Sequence, residues 1–559
     1  MGFPSKLPVY AAWLLIAGLF GCDSTSSSSS QAQDAGDVDG SFDGSSDSDG
    51  SSGDAGPDEE CFALPGIDLP DSDQEDSDCD GFDGSLVHAV LVSETPVPIT
   101  GAISASTLSE AVEAASLRGR SQVWVPAGEH SGEVLELRDG VGVYGGYLPS
   151  EGWRRSPSTY TVLQGEGPLL LAQSIDSPTV IDRIRFVAVD SAVPGGSSVA
   201  ARVVDSRGVL LQNVRLESGR GGDGANGEQP PAGQNGVDGE DGDDAVLNSV
   251  ANTDSCLSTL EDESSVSFDP AFGGTSCDVC GQGGLGGTEG WPTGSVAGND
   301  PAPGDGGSES GSCISNGGSA GSNSTVIGFS PHAGGHGAPG VNGAVGEIAP
   351  FFGTFSEAGY VASVGGTGSE GGGGGGGGGG GSSLSLTCGG CTFRPPEGGG
   401  GGSGGCGGPG GEGGQSGGAS VGLWIWSSEV TLSGVTIVTS EGGTGGDGSL
   451  GGSGGAGGRG GDPGSEDMAL ANCSDGMNGF SELDASAQGG SGGMGGSGGG
   501  GGGGSGGPSI GVFVGGAGSS VTDDTPLEII RPALGASAGQ SGDGSQGHVG
   551  RVLDIFEDT

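Results

Sequence analysis

The stretch that decides the fold is Val421-Gly422-Leu423-Trp424-Ile425-Trp426, a turn at Ser427-Ser428, then Val430-Thr431-Leu432-Ser433-Gly434-Val435-Thr436-Ile437. Its two apolar runs are short, β-rich and joined by a polar turn, which reads as strand, corner, strand. The same shape stands earlier: Val199 to Val204, a turn at Asp205 to Gly208, and Val209-Leu210-Leu211-Gln212-Asn213-Val214-Arg215-Leu216. Ser509 to Val514 with Leu527 to Ile530 is a third, weaker copy, and glycine-rich sequence follows all three. A repeated strand unit marks a solenoid, in which each unit buries its apolar face on the next.

Working upstream, Val123-Trp124-Val125, Val134 to Leu137, Val141 to Tyr144, Thr161-Val162-Leu163, Leu169-Leu170-Leu171 and Val180 to Val187 are further strands separated by Gly, Asp, Pro or Ser. They recur too closely for helix-linked parallel units, so a sandwich or a coil-by-coil solenoid fits, and the repeats favour the solenoid. Thr107-Leu108-Ser109-Glu110 matches a capping box, and Leu108, Ala111, Val112 and Ala115 fall on one helical face, predicting a single short helix. Each strand pair resembles one coil of a right-handed parallel β-helix of the pectin-lyase-like type. The segment from Leu108 through Val125-Pro126-Ala127-Gly128 to Tyr144-Gly145-Gly146-Tyr147 resembles the helix-capped first coils of such domains. The expected class is all-β: a right-handed parallel β-helix with glycine-rich insertions, preceded by a disordered acidic tether.

Glycine supplies 135 of 559 residues. From Gly221 it falls at Gly224, Gly227, Gly233, Gly236, Gly239 and Gly242, with Pro230 in the vacant place; Gly334 to Gly346, Gly398 to Gly413, Gly442 to Gly460 and Gly489 to Gly507 keep the same period of three. Three residues per turn is the repeat of polyproline II, whose amides have no internal partner. Where two of every three residues are glycine, such helices can lie side by side and bond to one another, as in polyglycine II bundles that resemble phage adhesin tips and some antifreeze proteins. A flexible linker is the competing reading, favoured for Gly371 to Gly381, where nothing in the sequence sets a register. A collagen triple helix would need more proline.

The first residues have a different texture. Lys6, an apolar run from Val9 to Phe20 and Leu19-Phe20-Gly21-Cys22 read as a secretory signal, since about 12 apolar residues are too few to span a bilayer. The tetrapeptide resembles a lipobox, which implies cleavage before Cys22 and a lipid on that cysteine. Asp23 resembles an inner-membrane retention signal of some bacteria; outer membrane or cell surface is the favoured location. With 16 Lys plus Arg against 71 Asp plus Glu the net charge is -55, which repels phosphate backbones and excludes nucleic acid as a partner. Ten cysteines besides Cys22 in an exported chain allow five disulfides. The pairs Cys277-Cys280 and Cys388-Cys391, with Cys256, Cys313, Cys406 and Cys473, read as staples of the glycine-rich loops rather than a zinc ribbon.

Asp76-Ser77-Asp78-Cys79-Asp80-Gly81-Phe82-Asp83-Gly84 places carboxylates at alternate positions before a turn glycine, a spacing that suits the six to eight oxygens calcium takes. Val87 stands where an EF-hand would carry Glu, so an EF-hand is rejected. The pattern resembles the acidic loops of thrombospondin type 3 repeats and a Cys-Asp-Gly-x-Asp-Gly segment of myxobacterial surface proteins. Asp76, Asp78, Asp80 and Asp83 are the candidate calcium ligands, with Cys61 and Cys79 bracketing them as a candidate disulfide; a solvated acidic continuation of the tether is the alternative. Catalytic signals are sparse. Parallel β-helices include lyases that use carboxylate-bound calcium and a basic residue, and Asp182, Arg183 and Arg185 come nearest to that set, though strand alternation reads them as solvent-facing.

The domain reading is a signal at 1–21, a disordered tether at 22–60, the acidic loop at 61–85, coils at 86–218, a cysteine-containing glycine insertion at 219–419, a coil at 420–440, a second insertion at 441–508 and a last coil at 509–559. The expected function is a non-catalytic, lipid-anchored surface for adhesion or envelope structure, with the membrane and a cell-surface polysaccharide or protein as partners. A β-helical lyase or hydrolase of acidic glycans is the second expectation.

Overall fold

The computed structural model describes residues 67–71, 76–249, 317–322, 331–382, 386–388, 391–394, 396–465 and 485–558. All lie in one unit, Cys61–Thr559. The signal and Cys22, the tether, and Cys61, Cys256, Cys277, Cys280, Cys313 and Cys473 fall outside the described residues.

The fold is all-β and its main sheets are parallel. The chain enters sheet A as β1 (Ala89–Val92) and β2 (Ile103–Ala105), passes through α1 (Leu108–Arg118) and returns as β3 (Gln122–Pro126). It then visits three sheets in turn: β4 (Gly128–Ser131) in B, β5 (Leu135–Glu136) in C and β6 (Gly142–Leu148) in A, where β7 (Arg154–Arg155) pairs antiparallel. The cycle continues with β8 (Thr161–Gly165, B), β9 (Leu170–Gln173, C), β10 (Thr179–Asp182, A), β11 (Ile184–Ala188, B), β12 (Ser198–Val204, C), β13 (Val209–Gln212, A) and β14 (Arg215–Glu217, B). The first insertion holds β15 (Val246–Ser249), the hairpin β16 (Thr354–Ser356) and β17 (Gly359–Val361), and β18 (Leu386–Cys388) with β19 (Cys391–Arg394). The cycle resumes as β20 (Ser420–Trp426, C), β21 (Glu429–Ser433, A), β22 (Thr436–Val438, B), β23 (Ser509–Gly515, C), β24 (Ser520–Asp523, A), β25 (Glu528–Ile530, B) and β26 (Val552–Asp558, C).

Alternation decides what faces in. In sheet A Val143, Ile181, Leu211 and Leu432 stack in register; in B Leu163, Phe186, Leu216 and Ile437; in C Leu170, Ala201, Leu423 and Val512, and all are fully buried. Each such large side chain contributes roughly 1.5–3 kcal/mol of burial. The helix is capped as its sequence predicts: Thr107 accepts from the Glu110 amide, while Glu110 reaches back to Ser106, and Leu108, Ala111, Val112 and Ala115 are the buried residues.

Two kinds of corner repeat. From C to A the chain turns on Ser174, Asp205, Ser427 and Gly516, all at positive φ. Beside them Ser206, Ser428 and Ser519 form a ladder: the Ser206 hydroxyl donates to Val204 O and accepts from the Ile175 amide, and Ser428 and Ser519 accept from the Ser206 and Ser428 amides. From A to B the turn is one or two residues and pivots on Arg183, Asn213 or Gly434, at φ 55°, 51° and 66°. The run expected as one strand from Val180 to Val187 is therefore two strands in different sheets, broken at Arg183.

The glycine tracts lie beside one another with a hydrogen bond every third residue. The amides of Gly224, Gly227, Gly233, Gly236, Gly239 and Gly242 donate to Thr444, Asp447, Ser453, Ala456, Arg459 and Asp462, a parallel pairing. Gly446, Ser449, Gly452, Gly455 and Gly458 donate antiparallel to Gln415, Glu412, Pro409, Cys406 and Ser403. Gly371 to Gly381, expected as a flexible linker, is held on several sides: Gly371, Gly374 and Gly377 donate to Gly408, Gly405 and Gly402, while Gly372, Gly375 and Gly378 donate to Val341, Ala338 and Gly335. Its register is set by neighbouring tracts, which its own composition could not reveal. Backbones touch: a Cβ at Gly407 would stand 1.8 Å from Gly371 O.

Candidate metal centre

Residues 67–71 and 76–85 lie on the outer side of sheet A, held there by β3 and β6. Gln122, fully buried, donates through Nε2 to Asp68 O and accepts from the Ser85 amide and the Trp124 indole. Trp124 stacks on Tyr147 at 4.8 Å, and Phe82 leans on Trp124. The Tyr147 hydroxyl donates to Asp83 O. Gly84, at φ 99°, would drive a Cβ to 2.6 Å from Pro70, so glycine is required at this close approach.

Within this frame the carboxylates of Asp68, Asp76 and Asp78 come together, each offering an oxygen within 4.8 Å of the others. Asp76 accepts from the amides of Asp80 and Gly81 at 3.0 and 2.8 Å, and Asp78 from that of Asp80 at 3.2 Å. These bonds wind the loop so that the alternate acids share one side. Asp68, 5% exposed, accepts from the Gly84 amide at 3.1 Å. Burial pushes its carboxyl up to about 6, against the Gly84 amide, which lowers it, and the charge of Asp78 raises it further. Asp68 lies outside the alternating motif, and its approach depends on Gln122 hooking its carbonyl, so spacing gave no sign of it.

Two of the four expected ligands point elsewhere. Asp80 is turned onto backbone, accepting from Phe82 and Leu86 at 3.0 and 2.8 Å, and its carboxyl is also raised, mainly by burial. Asp83, 7% exposed, accepts from the Asp71 amide and stands 3.4 Å from Arg155 Nη1. Burial raises its carboxyl although Arg155 opposes this. Asp83 belongs to the buried arginine, because leaving that charge unpaired would be costly.

Arg155 also pairs with Asp182, donates to Gly145 O and Asp71 O, and lies 5.7 Å from the ring centres of Tyr144 and Tyr147. Burial works against its charge, and Asp182, Tyr147 and Asp83 more than offset it, so its pKa rises. Asp182 and Arg183, expected to face solvent, are 0% and 4% exposed; Asp182 accepts from Asn213 Nδ2 at 2.9 Å. They are inside because Arg183 is a corner residue and Asp182 is the arginine's counter-ion. Arg185 does lie on the outer side, bonded by two nitrogens to Glu217, which Arg215 shares.

Elsewhere, a 440 Å³ cavity on the outer face of sheet C is lined by Glu136, Arg138, Gln173, Arg202 and Glu357. Arg202 donates to Ala358 O in the β16–β17 hairpin, whose Phe355 stacks on Phe513. Cys79 and Cys406 each take part in a disulfide. Among the described residues no helix is long and apolar enough to cross a membrane. The chain matches no family model, no curated protein and no solved structure.

Proposed function

We propose that this chain is a non-catalytic cell-envelope lipoprotein, anchored through Cys22, whose coils and glycine tracts present one rigid surface for adhesion or envelope structure. The carrying observation is that strand register runs on into the glycine tracts without a break. Gly411, Gly414 and Gly417 donate to Gly499, Gly502 and Ser505, Ser420 donates to Pro508, and β20 then pairs with β23 from Ser420 and Ser509 onward. Sheet B does the same: β14 pairs with β22, Ser218 donates to Val438 and Gly221 to Glu441. One hydrogen-bonded lattice thus joins coil to tract, and a lattice resists bending better than a tethered loop does.

In this reading the three sheets are turns of a right-handed parallel β-helix, the hand such crossovers take, and the tracts are polyglycine II helices. The cavity on sheet C, with an apolar floor and paired charges, is where a cell-surface polysaccharide or protein would be met. Calcium is held by Asp68, Asp76 and Asp78, oxygen donors suited to a hard cation, and it stiffens the joint between tether and body.

Hydrogen exchange of the full chain tests the rigid body: amides of Gly366 to Gly380 should be strongly protected, and exchange at free-peptide rates would refute it. Cys22→Ala should release the protein from membranes. The second reading, a lyase or hydrolase of acidic glycans, gains only from the outward Arg185; sustained turnover of uronate polymers, abolished by Arg185→Ala, would replace the first reading with it.

A further inference from the structure

The three sheets end on β24, β25 and β26. Near β1, β2 and β3 the core is covered by α1, which buries its apolar face there. At the β26 side the core columns instead run out into solvent. Ile555 continues the column of Leu170, Ala201, Leu423 and Val512 yet is 45% exposed, and the column of Ala172, Val203, Ile425 and Val514 ends on the carboxylate of Glu557. A 780 Å³ cavity opens at this place, lined by Trp426, Val514, Gly516, Val521, Glu557 and Asp558. Seven-residue β26 is bonded on one edge only, to β23, among the described residues.

An open edge of this length is a template for another strand. Its charge selects which. Asp523, Asp524, Glu528, Glu557 and Asp558 crowd this end, and Arg531 is already paired with Asp554. A second copy would bring the same carboxylates, and like charges facing each other across a ladder destabilise it. We propose that this end receives an extended basic segment of a partner protein as the next strand on β26. An apolar residue of that segment covers Ile555, and Lys or Arg side chains meet Glu557 and Asp558.

The test uses the full chain and an end-capped heptapeptide of lysine with a single central valine, which falls opposite Ile555 and leaves lysines opposite Glu557 and Asp558, at physiological ionic strength. The peptide should protect the outward amides of Val552–Asp558 from hydrogen exchange. Protection should vanish when lysine is replaced by glutamate or when the peptide's ladder amides are methylated. Glu557→Lys with Asp558→Lys should weaken binding about ten-fold, while Asp447→Lys with Asp462→Lys, on the glycine tracts, should leave it unchanged. The proposal is overturned if protection falls elsewhere or nowhere, if the methylated peptide binds as well, if the two double variants weaken it equally, or if sedimentation shows two copies joined through this end.

Discussion

Arg155 joins Gln122 and Tyr147 in binding the acidic segment to the coils. Its side chain is wholly buried between Asp83 on that segment and Asp182 on β10. Removing one member of such a buried group strands the others, so Arg155→Ala should cost about 3–5 kcal/mol, measured by denaturant unfolding. Asp83→Asn added to Arg155→Ala should recover part of the loss. Asp68 contributes to the pH response, in the same direction as Asp80 and Asp83. Its folded pKa, about 6, exceeds its ordinary 3.8, so the folded state binds the extra proton. The stabilisation this gives is complete below the ordinary value and is lost as pH rises through about 6. A cation would reverse the preference, since it needs the ionised carboxylate. Calorimetric calcium affinity should therefore fall between pH 7 and pH 5, and Asp68→Asn should flatten that dependence.

At the scale of elements, the tracts depend on glycine where backbones touch. A Cβ at Gly408 would stand 1.9 Å from Gly452 O, and no rotamer can relieve a clash with a carbonyl. Gly408→Ala should destabilise the body by about 3 kcal/mol or more, read as a lowered unfolding midpoint. Leu450→Ala, 60% exposed on a neighbouring tract, should change it little. The period of three was legible because every third glycine answers to a touching backbone. The strands Val123 to Val125 and Val430 to Leu432 were legible, the first as an apolar run buried on both faces and the second because alternation follows one buried face. The break in Val180 to Val187 was not, since Arg183 adopts the left-handed conformation through tertiary packing. Its counterparts Asn213 and Gly434, residue types that favour that conformation, carried the only local hint. β24 escaped notice because Ser520-Val521-Thr522-Asp523 has one apolar residue. Of the three carboxylates in the candidate metal centre, Asp76 and Asp78 followed from spacing, whereas Asp68 is brought in by Gln122 on a distant strand.

For the molecule as a whole, satisfaction of the early tract waits on a late one. Asp223, Asn226, Asn235, Asp238, Asp241 and Asp244 each cap an amide 221 positions further on, beside the backbone bonds of the same pair of tracts. A chain ending at Ser440 should leave the amides of Gly224, Gly227, Gly233, Gly236, Gly239 and Gly242 unprotected in hydrogen exchange while β8 to β14 remain protected. Retained protection of those six amides in that shorter chain would contradict the pairing. Contacts so distant in sequence also predict slow folding.

The touching backbones carry one more implication. Cohesion of the tracts resides in glycine, main-chain bonds and the Asp and Asn caps, while Val237, Val341, Leu450 and Met494 stand outward, each about half exposed or more. Such positions recur every three residues, roughly 9 Å apart along a threefold helix. They can change identity without altering what holds the tracts together. The body is thus a printing plate whose type can be reset: new recognition can evolve by swapping outward letters while the frame stays as it is.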